Sequence, residues 1–251
     1  MPDELARAFA FMARGDMGGS RTEPARFGTA VFDDRVPRRY DSNYLLVDEL
    51  PPQVTAEQLA AEAERHRRPV VFFRHEASGE RVAPGFEELG WRVDRHEVMA
   101  WRRPPQREAP LELVREVDLD ALREPRARLA GGYPWATPEV MRQLHEAKRL
   151  MAERVQTRFF GVLSGDEVVA YADLYLDPPD AQVEDVGTLE EQRGRGYASA
   201  VVLAAATQAR QAGADLVFLV ADAEDWPQHL YRRLGFDSVG RYVKLIAPSA
   251  G

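Results

Sequence analysis

At 251 residues the chain exceeds one typical domain and suits either one large domain or two modest ones. Hydrophobic residues at 45% with charged residues at 29% describe an ordinary globular protein, and the lack of cysteine excludes disulfides, zinc thiolates and thiol nucleophiles. A net charge of −8 argues against a phosphate-backbone binder, so no nucleic-acid partner is expected, whereas a small cationic substrate is compatible.

No stretch approaches ~18 uncharged apolar residues, so no membrane partner is expected. The start, MPDELARAFAFMARGD, carries Asp3 and Glu4 and lacks the apolar run of a signal peptide, which makes the cytoplasm the expected compartment. The histidines of HEASG, HEVMA and HEAKR do not complete HExxH, and no metal site is expected. Lys148 and Lys244 are the only lysines.

Residues 2–14 read as a helix with Leu5, Phe9 and Met12 near one face. A Gly-rich loop over 16–24 precedes strands at 28–32 and 43–47. A helix capped by Thr55 runs to Pro69, followed by a strand at 70–74, a short helix near 79–89 and a strand over 91–101. RRPPQREAP (102–110) is proline-rich and charged and reads as a solvated linker, which divides the chain into 1–104 and 105–251.

The second half restarts with a strand at 111–117 and helices across 120–130 and 137–154. Strands at 158–163 and 167–176 are joined by a turn at Ser164-Gly165-Asp166, and a third covers 181–189. An Ala-rich helix over 195–212 stops at Gly213. LVFLV (216–220) is a strand covered on both faces, and a helix over 226–234 leads into a last strand at 236–246. This alternation predicts an α/β, α+β layered mixed sheet. FEELGW (86–91) matches YRRLGF (231–236), each ending a helix and opening a strand, so the first half reads as a degenerate copy of the second.

The chemistry concentrates in VEDVGTLEEQRGRGYASAVVLAAATQA (183–209). Strand, glycines, two arginines and helix follow one another there. Glycines at such a turn let backbone N–H groups converge, and the helix N-terminus adds partial positive charge, which together make a pyrophosphate cradle. A dinucleotide-type GxGxxG needs Gly or Ala where Ser199 stands, and no GxxxxGK[ST] occurs.

The segment resembles the acyl-CoA signature Q/R-x-x-G-x-G/A of the GNAT superfamily of N-acetyltransferases, met by Arg193, Gly196 and Ala198. LVFLVADAEDWPQHLYRRLGF (216–236) is similar to a second family element, a strand and a helix ending L-Y-x-x-x-G-F. The likeness covers 111–246 well and 28–101 in outline, and it implies a pseudo-tandem GNAT fold that uses acetyl-CoA as co-substrate. It further implies that amides of Gln192, Arg193, Gly194, Arg195, Gly196, Tyr197 and Ala198 hold the pyrophosphate. Val186 and Thr188 would lie beside the pantetheine arm, and Tyr231 would be the general acid near the sulfur. Glu224 and Pro227 depart from the family's usual Asn and Ala, which puts one side-chain contact to pantetheine in doubt.

A primary amine of pKa ~10.4 is about one part in 2,500 neutral at pH 7, so forming the nucleophile costs roughly 4.6 kcal/mol unless a base assists. Strand alternation sends Glu184 and Asp185 to opposite sides. Glu184 resembles the glutamate that several GNAT enzymes use as base. Asp185, Asp173 and Tyr175 remain alternatives, as does a pair of edge carboxylates held by arginine, and Tyr231 also reads as a core tyrosine. The acceptor pocket is expected over 128–154, with Tyr133, Trp135 and Glu146, and against the first half.

The corresponding loop of the first half, 48–59, has two prolines and no glycine, and Phe86 replaces the tyrosine, so a single CoA site is expected. The expected activity is transfer of an acetyl group to a small-molecule amine by a monomer or homodimer. A peptide or protein amine, or a non-catalytic CoA-binding sensor, are the alternatives.

Overall fold

A computed structural model describes residues 4–15 and 17–248; the first two residues of the helix expected at 2–14, and Asp16, lie outside them. The first half gives α1 (Glu4–Arg14), β1 (Arg21–Ala25), β2 (Gly28–Phe32), β3 (Leu45–Val47), α2 (Ala56–Arg65), β4 (Val70–Phe73), α3 (Glu76–Glu88) and β5 (Arg92–Trp101). The second gives β6 (Val114–Val117), α4 (Arg123–Ala130), α5 (Pro138–Ala152), β7 (Gln156–Ser164), β8 (Glu167–Asp177), β9 (Asp180–Thr188), α6 (Tyr197–Gln211), β10 (Leu216–Asp222), α7 (Pro227–Arg233) and β11 (Phe236–Ile246). Among the described residues no helix is long and apolar enough to cross a membrane.

Among the described residues the eleven strands form one mixed sheet in the order β1-β2-β3-β4-β11-β5-β10-β9-β8-β7-β6. The duplication expected from FEELGW and YRRLGF is visible in it. Each half has a parallel pair joined through a helix, β3–β4 across α2 and β9–β10 across α6, then a second helix and a long last strand. Those last strands are exchanged. β11 pairs with β4 of the first half, β5 pairs with β10 of the second, and the two pair with each other from Phe236↔Trp101 to Ile246↔Arg92. Val243 and Leu245 of β11 therefore pack in the first half's core, and Met99 of β5 in the second's.

Alternate residues of β8 serve two layers, as the period of a strand requires. Ala170, Ala172, Leu174 and Leu176 pack under α6, while Tyr175 joins Phe11 of α1 and Met151 of α5 on the other face. Phe218 of β10 meets Phe11 edge-on at 5.6 Å, and burying such a ring contributes about 2–3 kcal/mol.

Three sequence expectations change. The loop expected over 16–24 contains β1, an exposed edge strand whose composition shows no alternation and whose Pro24 is tolerated at an edge. The strand expected from 111 opens as a single 3-10 turn, Leu111–Leu113, with β6 only four residues long. The 102–110 segment is mostly exposed but docked, since the amides of Arg102 and Arg103 donate to the Gly235 carbonyl and that of Gln106 to Arg233.

Candidate active site

The site begins where two regular pairings fail. β8 and β9 keep antiparallel register from Asp177↔Asp180 to Asp173↔Glu184, then resume at Tyr171↔Gly187, so β9 carries an extra residue. Asp185 within this bulge has φ 52, the left-handed region that few non-glycine residues occupy. The bulge breaks the alternation that was expected to part Glu184 from Asp185, and both line one cavity. Gly187 is required beside it, because a Cβ there would lie 2.4–2.7 Å from the Tyr171 ring and hydroxyl.

The second failure lies between β9 and β10. They pair in parallel only from Leu216↔Asp180 to Phe218↔Gln182, although β9 continues to Thr188 and β10 to Asp222. Beyond Gln182 the strands diverge, and a cleft of about 740 Å³ opens at their ends, bounded by the N-terminus of α6 and by α7. Its lining includes Val186, Thr188, Gln192, Arg193, Gly194, Gly196, Tyr197 and Ala198 from the predicted donor set, together with Tyr231. Arg195 is exposed and is not part of that lining. Gly194 and Gly196 have φ 79 and 80, which turns the chain sharply into α6, and Gly196 caps the helix without any side-chain hydrogen bond. The first amides of α6 therefore face the cleft without an internal acceptor. Thr188 Oγ1 is buried and has no hydrogen-bond partner among the described residues.

Tyr231 is buried, edge-on to Phe236, and its phenol is held well above the usual range by burial and then by the Glu184 carboxylate. The phenol is thus protonated at neutral pH, and Glu184 lies close enough to act on it. Glu224 points elsewhere, pairing with Arg95 at 3.2 Å. Sequence reasoning missed Arg107 and Glu108, which the docked linker brings to the cleft.

A second cavity of about 530 Å³ lies across β9, between α4, α5 and the Arg39–Asp41 segment of the first half. Leu129, Val186 and Gly187 line both cavities, so the two meet at the bulge. Trp135 lines this second cavity, while Tyr133, stacked on Trp135 at 5.5 Å, lines the cleft above α6. Glu146, expected in the pocket, instead pairs with Arg149 at 3.7 Å and lines neither.

The cavity floor is a network of opposite charges. Arg126 Nη2 donates to Asp173 at 2.5 Å and its Nε to Asp185 at 2.7 Å. Lys148 Nζ lies 3.0 Å from Asp173 and 3.4 Å from Asp185, and donates to Tyr175 Oη at 2.7 Å. Burial raises the fully enclosed Asp173 above the carboxylate range, whereas for Asp185 the two cations outweigh burial and hold it below that range. A carboxylate so neutralised is a weak base. Glu184, also on the bulge, accepts from Gln182 Nε2 at 2.7 Å. Sequence reasoning passed over Arg126 and Lys148, both of which line the cavity. Lys244 pairs at 2.5 Å with Asp41, which lines it.

The matching place in the first half is closed. β3 and β4 pair to the end, Leu45↔Val71 through Val47↔Phe73. Thr55 and Gln58 cap α2 reciprocally, taking up the amides that Gly196 leaves open. Arg81 donates to the carbonyls of Leu50, Pro51, Pro52 and Val54, so oxygens converge there instead of N–H groups. Phe86 is fully buried.

The sequence model of the acetyltransferase (GNAT) family matches residues 119–236, which span the bulge, the uncapped helix and Tyr231. No curated protein matches the chain. A functionally unknown conserved protein of Staphylococcus epidermidis is similar in structure at 17% identity and TM-score 0.67, over 92% of this chain and 94% of that one. A GCN5-related N-acetyltransferase of Kribbella flavida superposes with TM-score 0.63 at 19% identity, over 99% and 97%. A tandem GNAT protein from the clavulanic acid biosynthesis pathway follows with TM-score 0.54 at 16% identity, over 89% and 78%. These likenesses extend the shared fold to nearly the whole chain, and with the family match they identify residues 119–236 as a GNAT acetyltransferase domain within a tandem GNAT fold.

Proposed function

We propose that the protein transfers an acetyl group from acetyl-CoA to a primary amine of a small molecule. The carrying observation is the meeting of two cavities at the β9 bulge, one under an uncapped helix N-terminus and one walled by carboxylates. Residues 105–251 would hold both the donor site and the chemistry, and 1–104 would be the degenerate lobe. A volume of about 530 Å³ suits a small acceptor better than a protein segment. Acetyl-CoA, when bound, supplies the activated acyl group. The amides of residues 192–198 would receive its pyrophosphate, and the orphaned Thr188 hydroxyl offers a partner to the arm.

Glu184 takes the proton of the incoming ammonium, directly or through water, because Asp185 is neutralised by Arg126 and Lys148. Once Glu184 has passed that first proton to solvent, the new C–N bond forms and the C–S bond breaks, the sulfur receives a proton from the Tyr231 phenol, and the second proton lost by nitrogen restores the phenol. With that phenol raised by burial, donation accompanies C–S cleavage instead of preceding it. The test is thiol release from acetyl-CoA with a panel of amines, comparing the native chain with Tyr231→Phe. The variant keeps the ring and should keep CoA affinity, while turnover falls ~10²-fold or more. Near-full turnover in the variant would make the phenol structural, and no thiol release with any amine would favour a CoA-binding sensor.

A further inference from the structure

The segment that joins the two halves is also a wall of the cleft above α6. At its start the amides of Arg102 and Arg103 donate to the Gly235 carbonyl at 3.0 and 3.1 Å. The backbones touch so closely there that a Cβ on Gly235 would stand 1.9 Å from the Arg103 carbonyl oxygen. Gly235 is therefore required by this contact as well as by its φ of 97. The Gln106 amide then donates to the Arg233 carbonyl at 2.8 Å. At the far end, Pro110 Cδ lies 3.5 Å from where a Cβ on Gly196, the cap of α6, would stand. Residues 102–110 thus run from the C-terminal end of α7 to the N-terminal end of α6, the two helices that bound the cleft, and Arg107 and Glu108 line it.

The cations on this wall are unanswered. Elsewhere exposed arginines of the chain meet carboxylates, as Arg103 meets Asp237 and Arg128 meets Glu191. Arg107, Arg193 and Arg233 are exposed and line the cleft, and among the described residues their side chains make no hydrogen bond or ion pair. Two carboxylates share the lining. Asp225 precedes the first turn of α7, at the end away from Arg233, and accepts from the Trp226 amide at 2.7 Å. Glu108 pairs with none of the three guanidiniums. Unpaired cations around a concave site hold it ready for an anion.

Resting on the reading of this cleft as the acetyl-CoA site, we propose that Arg107 of the linker, with Arg233 beside it, binds the 3′-phosphate of CoA and so selects CoA over donors lacking that group. The α6 amides and Arg193 serve the pyrophosphate. That leaves the phosphomonoester, which has a second pKa of about 6 and carries close to two charges at neutral pH, without a partner from the signature loop. A guanidinium fork matches phosphate in shape as well as in charge. The Gln106–Arg233 backbone contact starts both side chains from neighbouring positions on one wall. Arg107 lies outside the residues 119–236 matched by the family model, so the subsite is an addition to the shared signature loop.

The experiment is calorimetric titration of the full chain with CoA and with 3′-dephospho-CoA. CoA should bind about tenfold or more tightly, the contribution of a charge-assisted hydrogen bond. Arg107→Gln removes a side chain without partners in the fold, so the variant should melt like the native chain. It should remove most of the preference for CoA while leaving the affinity for dephospho-CoA unchanged, and Arg233→Gln should act in the same direction. Equal affinity of the native chain for the two nucleotides overturns the subsite and leaves the donor reading standing. A preference for CoA that survives Arg107→Gln overturns the assignment to the linker. Equal weakening of both nucleotides by that variant also overturns it, since the arginine would then be a general attraction to anions. Failure of either nucleotide to bind the native chain at all would remove the donor reading, and the subsite with it.

Discussion

His96→Phe should remove much of the acid sensitivity of the fold. His96 lies on β5, opposite Tyr242 of β11 and Asp222 of β10, at the seam where the halves exchange strands. Its ring stacks on Tyr242 at 4.7 Å and its Nε2 is buried with no hydrogen-bond partner among the described residues. Burial foremost, then the Lys244 ammonium and Arg92, push the imidazole down to about 3 against the opposite pull of Asp94 and Asp41. The unfolded chain takes up a proton near pH 6.5 and the folded chain does not, so stability is complete above pH 6.5 and declines as pH falls towards the folded value. Between pH 7 and 5 the loss is about 2 kcal/mol, a figure that requires only a folded pKa well below 5. For a chain of this size that is roughly 4–8 °C in Tm. Phenylalanine keeps the stack without the titration. Calorimetric melts of both proteins from pH 7 to 5 should therefore diverge by that amount, the native chain falling faster. His145, also lowered chiefly by burial, contributes the same slope to both proteins and cancels in the difference. Parallel profiles would show that the seam admits the charged ring and that the reasoning is wrong.

CoA should raise the melting temperature by mass action, and Gly196→Val should abolish that shift while leaving a folded protein. At φ 80 a β-branched residue is strained, and its side chain obstructs the approach of phosphate to the α6 amides. Retained CoA affinity in that variant would refute the placement of the cradle. Calorimetric titration should give one CoA per chain, because Thr55, Gln58 and Arg81 occupy the matching groups of the first half; a stoichiometry of two would refute it. Glu184→Gln should lower turnover most at pH below the amine pKa and recover partly as pH rises, since the missing base matters only while the amine is protonated. A rate equal to the native one at pH 7 would move the base elsewhere or mean that the acceptor arrives neutral.

The cleft above α6 was legible because the residues that shape it are local in sequence. A strand, two glycines that must turn through positive φ, and a helix are consecutive, so Gly194, Gly196 and the following amides could be read directly. Arg195 fell outside the cleft because a run of residues does not say which one the turn points outward. The acceptor side was not legible for the same reason in reverse. Arg126, Lys148, Asp173 and Asp185 come from four elements and meet only after β8, β9, α4 and α5 are packed. The bulge defeated the alternation argument outright, since one extra residue between Glu184 and Gly187 returns both acids to one cavity. The strand exchange left no mark either. β5 and β11 are near-equivalent strands, and nothing in either marks which half it joins.

That exchange joins the first half to the wall of the second cavity. Lys244 belongs to β11, the strand the second half lends to the first, and it pairs with Asp41 on the first-half segment that walls the acceptor cavity. The same ammonium depresses His96 on β5, the strand lent in return. One cation thus ties both exchanged strands to the cavity wall, which cannot be assembled from residues 105–251 alone. The lobe that supplies Arg39 and Asp41 to the second cavity also has a self-capped α2, with the Thr55–Gln58 box and Arg81 across the loop carbonyls. The closed first-half loop and the open cleft above α6 are then complementary, the first half contributing Arg39 and Asp41 to one cavity while the second opens the other.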